Sequence, residues 1–119
     1  MYTFSFEKLN VWKESILLVG SIYKMTNSFP IEEKFGLTNQ IKRASISISS
    51  NLAEGMTRNT KKDKGRFINI SYGSTMEVLN QLIIAKELDY ISEENYLSLR
   101  SKIEKISNML NSLKKSILS

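Results

Sequence analysis

Between positions 58 and 66 five cations, Arg58, Lys61, Lys62, Lys64 and Arg66, stand against one acid, Asp63. That is +4 within nine residues of a chain whose whole excess is +5. Cations grouped in this way attract phosphate, an attraction that depends on salt and is indifferent to base sequence. Apart from Phe67 at its end the segment has no interleaved aromatic, so it lacks the stacking platform of single-strand binders. Taken alone, such a run is also what an ordinary solvated loop looks like.

A second pattern lies just before it. At 3.6 residues per turn Gln40, Arg43, Ser47, Asn51, Glu54 and Arg58 fall on one helical face, while Leu37, Ile41, Ala44, Ile48, Leu52 and Gly55 fall on another. The polar face carries short hydroxyls and amides, one acid and two arginines that can satisfy one another, which is what a polar seam between helices or subunits requires. Glu54 and Arg58 stand at i, i+4 and can pair along the helix, for about 0.3–0.5 kcal/mol if exposed. Further on, Gly73-Ser74 in the middle of a helical segment costs about 1 kcal/mol against Ala. The expected compensation is close approach of another helix. Gln40, Arg43, Ser47, Asn51, Glu54, Arg58, Gly73 and Ser74 are therefore the candidates for an oligomer seam.

Absence narrows the chemistry. The chain has no histidine, which removes the usual general base, triad member and commonest metal ligand together. Glu54 is a lone acid near Asn51 without a nucleophile to activate. Glu77 with Glu87 or Glu104 imitates a carboxylate metal site, yet the bundle metal signature pairs Glu with a His three residues on. No glycine-rich phosphate loop occurs. The expectation is a protein that is not an enzyme, with no catalytic residue, cofactor or metal. Zero cysteines fit a reducing compartment. No window approaches 18 apolar residues, and the N-terminus lacks the charged and apolar regions of a signal peptide, so a cytoplasmic protein is expected, with no membrane partner.

The elements that must position these residues are helices. A length of 119 residues suits a single domain with one core, and one proline in the whole chain suits long uninterrupted helices. The pattern predicts helices at about 7–27, 37–57, 61–88 and 93–118. In the first, Leu9, Trp12, Ile16, Val19 and Tyr23 step as one apolar stripe; in the fourth, Tyr96, Leu99, Ile103, Ile106, Leu110, Leu113 and Ile117 form the cleanest heptad. Phe29-Pro30 stops the first helix, and Thr60 and Ser92 are placed to cap the third and fourth. Asp89-Tyr90-Ile91 reads as a turn. Short links make sequential neighbours antiparallel, so the predicted class is an all-α, up-down-up-down four-helix bundle.

Along almost its whole length the chain resembles a known family. The residues that carry the likeness are Phe6-x-x-Leu9-x-Val11-Trp12, Phe29-Pro30-x-x-Glu33-x-Phe35-Gly36-Leu37-Thr38, Gln40-Ile41-x-Arg43-Ala44, Ser47-Ile48-x-x-Asn51-Leu52-Ala53-Glu54-Gly55-x-x-Arg58, Arg66-Phe67 and Gly73-Ser74-x-x-Glu77. They are similar to the four-helix bundle protein family, also called the 23S rRNA intervening-sequence protein family. Lys64, Gly65, Ser71 and Leu79 depart from its pattern. The resemblance implies a ring-like homo-oligomer, a pentamer, and association with nucleic acid, RNA before DNA; the candidates for that contact, chosen by charge, are Arg58, Lys61, Lys62, Lys64 and Arg66. Its alternative implication is a protein-only scaffold that docks a partner such as a reverse transcriptase, with no direct nucleic-acid role.

Overall fold

The computed structural model describes residues 1–119, which fold into four long helices and no strand. They are α1 (Asn10–Met25), α2 (Leu37–Gly55), α3 (Lys61–Glu87) and α4 (Glu93–Leu118). Short 3₁₀ turns at Ser5–Lys8 and Thr26–Ser28 flank α1, and another at Ile31–Glu33 precedes α2. The first helix is thus shorter than the expected 7–27, because Leu9 is extended (φ −73°, ψ 125°) and separates the leading turn from α1. The Thr60 hydroxyl accepts the Asp63 N–H at 3.1 Å and that of Ser92 accepts the Asn95 N–H at 3.1 Å, so both caps stand where the sequence put them.

The apolar faces of α2 and α4 are the expected ones. Leu37, Ile41, Ala44, Ile48, Leu52 and Gly55 are buried from α2, and Tyr96, Leu99, Ile103, Ile106 and Leu110 from α4. The α1 stripe is corrected. Val11, Ser15, Leu18 and Ile22 face the core, whereas Ile16 and Tyr23 of the expected stripe are each 42% exposed. Residues 11, 15, 18 and 22 also step at 4, 3 and 4, and a serine among them hid this second stripe. Ser15 tolerates burial because its hydroxyl donates to the Trp12 carbonyl at 2.6 Å within the same helix.

Named pairs fix how the helices lie together. The α2–α3 pair is joined by Ser71 Oγ donating to the Ile48 carbonyl at 2.9 Å and by Ser47 Oγ to Ser74 Oγ at 2.8 Å. Lys102 Nζ donates to Ser21 Oγ and Lys105 Nζ to Glu14 Oε1, each at 3.1 Å, between α4 and α1. Lys86 and Glu93 pair at 2.9 Å where α3 passes into α4. The hydrogen bond that Lys86 donates to Glu93 is the main reason its ammonium titrates above its ordinary range.

At one end the two links are tied together. The α3 helix closes with Asp89 in the left-handed region (φ 59°) and the Tyr90 N–H donating to the Ala85 carbonyl, the paired ending of a Schellman turn. Tyr90 then meets the α1–α2 link: its ring lies 5.4 Å from that of Phe29, and its hydroxyl donates to Glu33 Oε2 at 2.8 Å. The Glu33 hydrogen bond holds the neutral phenol and pushes its pKa up.

Two outcomes follow from this packing. Leu18→Ala and Leu110→Ala should each cost about 2–5 kcal/mol in urea unfolding, the usual range for truncating a buried Leu, with exposed Ser98→Ala near neutral. A raised folded pKa means that the Tyr90 contact stabilises the fold below the ordinary phenol pKa of about 10 and is lost as pH rises through the folded value. Tyr90→Phe should therefore be less stable than wild type at pH 8, and that gap should close in strongly alkaline solution.

Candidate nucleic-acid interface

The basic corner is built on a glycine. A Cβ added at Gly55 would stand 2.6 Å from the Phe67 Cβ, so only glycine lets the buried Phe67 lie against the end of α2. The Arg58 and Arg66 guanidiniums stand 4.7 and 4.6 Å from the centre of the Phe67 ring. Arg58 also donates to Glu54 Oε2 at 2.6 Å, the expected i, i+4 pair, and its Nε is buried without a partner. Arg58 is thus tied into the corner. Lys61 is engaged too, donating to the Ser119 carbonyl at 3.1 Å, and Lys64 is half-buried.

Of the five candidate cations, Lys62 and Arg66 open onto a shared cleft of about 520 Å³ between α3 and α4. There they meet Lys114, with Asn69 and the acid Asp63. Sequence spacing did not point to Lys114, which lies far along the chain on the solvent side of a heptad. The available signal was Gly65, one of the family departures: a Cβ there would approach the Leu118 side chain to 3.3 Å. Lys114 stands one turn before Leu118 on α4 and so lies beside the cations of α3. Three cations and one acid around an open cleft can hold a phosphate or carboxylate group.

The predicted seam residues lie along the α2–α3 boundary and divide into two sets. Ser47 and Ser74 pair with each other, and Asn51 Nδ2 donates to the Ser47 carbonyl at 2.9 Å and its hydroxyl at 3.0 Å. With Glu54 and Arg58 these are partnered within one chain. Gln40 and Arg43 instead line a groove of about 320 Å³ with Glu77 and Gln81. Gly73 is exposed, and an added Cβ would meet nothing within 4 Å, so the close approach expected there is not made within the chain. No helix of its own chain approaches it, and the close contact lies at Gly55. Another departure is accounted for by Ser71, whose buried hydroxyl bonds across to α2. No cluster of three carboxylates stands close enough to hold a metal ion, and no helix is long and apolar enough to cross a membrane.

Four packed helices, no strand, and polar clefts flanking α3 define a small all-α protein built to present side chains along helix boundaries. The model of the family described as 23S rRNA-intervening sequence protein matches residues 7–112, and the chain belongs to that family. It is similar to a solved structure from Bacteroides thetaiotaomicron, a protein with unknown function from the S23 ribosomal protein family. The two share 25% identity at a TM-score of 0.79, over 88% of this chain and 98% of that one. No curated protein matches.

The two helical glycines should respond oppositely to alanine. Gly55→Ala should destabilise the chain by about 1–3 kcal/mol, since Phe67 must move, while Gly73→Ala should stabilise it by about 0.5–1 kcal/mol through better helix propensity in open space. Urea midpoints at matched protein concentration give the comparison.

Proposed function

We propose that this protein is a non-enzymatic, ring-forming adaptor of alternately up and down helices that associates with RNA through the cleft of Lys62, Arg66 and Lys114. The observation that carries the reading is the convergence of those three side chains from two helices, since a merely solvated charge run would not recruit Lys114 from α4. Each subunit offers a weak, sequence-indifferent phosphate site, and a ring repeats it so that contacts add. The alternating direction is supported by the pairing of Ile48 with Ser71 and Ser47 with Ser74, in which position rises on one helix as it falls on the other.

The pentamer comes from the family resemblance, and one surface supports self-association. Half-buried Val19 with exposed Ile16 and Tyr23 leave an apolar stripe along α1 outside the chain's own core. A second reading, docking of a protein partner, is favoured by Ile31 and Phe35, exposed at 78% and 86% on the α1–α2 link.

Sedimentation should give five times the 13.7 kDa chain mass, and Ile16→Glu should yield single chains of unchanged helicity. A single-chain mass for wild type would remove the ring. For the RNA cleft, the triple variant Lys62→Ala, Lys114→Ala and Arg66→Ala should lose binding uniformly across unrelated RNA sequences. Unchanged affinity would move the function to the protein-docking reading.

A further inference from the structure

The groove between α2 and α3 holds four hydrogen-bonding side chains that have no partner within the chain. Gln40 and Arg43 come from α2, Glu77 and Gln81 from α3. Arg43 and Glu77 face one groove yet form no ion pair. Gln81 is only 8% exposed, and its Oε1 is a buried acceptor with no donor. Arg43 and Glu77 are exposed at the rim of the groove and reach solvent, whereas Gln81 is buried in its wall. A ligand that fits must bring donors to the α3 wall and acceptors to the α2 wall.

We propose that this groove takes the edge of an unpaired guanine in single-stranded RNA, an inference that rests on the RNA reading above. Among the four RNA bases guanine carries two adjacent donors, N1–H and the N2 amino group, on one edge and two adjacent acceptors, O6 and N7, on another. The Glu77 carboxylate accepts the two donors, and Gln81 Oε1, buried as the groove stands, reaches the second amino hydrogen only when its side chain turns into the groove. Arg43 forks onto O6 and N7, the commonest specific contact of arginine with a base. The single apolar lining residue is Ala44 and no aromatic is present, so the site reads an edge without stacking and adds discrimination more than affinity. Phosphate contacts at the neighbouring cleft supply the affinity. Arg66 and Glu77 are eleven residues apart on α3, about 16 Å at 1.5 Å per residue. Gly73, exposed and bare between them, leaves that path clear.

The test compares oligouridine with the same oligomer carrying one central guanosine or inosine, by fluorescence anisotropy. Guanosine should tighten binding about tenfold, the usual worth of one good bidentate pair, and inosine, lacking the N2 amino group, should fall between. Glu77→Gln and Arg43→Lys should each abolish the preference and leave oligouridine affinity unchanged, whereas Arg66→Ala should weaken every oligomer alike. Equal affinity of wild type for all three oligomers would overturn the guanine site and leave the RNA reading standing. A second readout is independent of that reading: titration with guanosine monophosphate should shift the side-chain amide resonances of Gln40 and Gln81, and adenosine monophosphate should not. Equal response to both nucleotides, or to neither, would overturn the site even if RNA binds. Loss of ring mass in Glu77→Gln would overturn it also, by assigning the groove to contact between subunits.

Discussion

Close packing of α2 on α3 is the constraint on which the rest of the structure depends. The two helices approach through small residues, and hydroxyls at their contact are hydrogen-bonded across it. Ser71 bonds to the Ile48 carbonyl and Ser47 to Ser74, so hydroxyls that would be costly in an apolar interface are satisfied across it. Gly55 admits Phe67, and Phe67 in turn carries the Arg58 and Arg66 guanidiniums. The loop between the helices is thereby fixed at the place where positive charge is densest. A bulkier residue at either contact would move the cations as well as the core.

Charge is sorted by the same packing. Arg58 and Lys61 are engaged within the chain, whereas Lys62 and Arg66 reach a cleft completed by Lys114. Packing of α4 beside α3 matters here as well as the basic run, because it supplies Lys114. One side of α3 therefore suits phosphate. Farther along α3, Glu77 and Gln81 suit a group with donors. At the far end of the molecule, Tyr90, Phe29 and Glu33 tie the two links together, which keeps the helices in one register.

Much of this was legible in the sequence, for physical reasons. Heptad spacing on α4 and the apolar face of α2 gave their buried positions directly, because no competing apolar stripe exists on either helix. The caps at Thr60 and Ser92 were legible for the same local reason: an oxygen at that position has a free N–H to accept. On α1 two stripes compete, and the one interrupted by Ser15 is the buried one, which hydropathy alone cannot rank. Gly73 makes no close contact within the chain, whereas Gly55, at a helix end where glycine is ordinary, makes the closest approach. Lys114 and Gln81 were invisible, since each acquires its setting from a helix distant in sequence.

The most direct measurement is the salt dependence of RNA affinity for the wild-type protein. Each neutralised phosphate of a single strand contributes about −0.7 to the slope of log K against log salt. With three free cations around each cleft, the account predicts a slope of about −2 for one subunit, and steeper when several subunits share a strand. A slope near zero, or no binding at low salt, would contradict it.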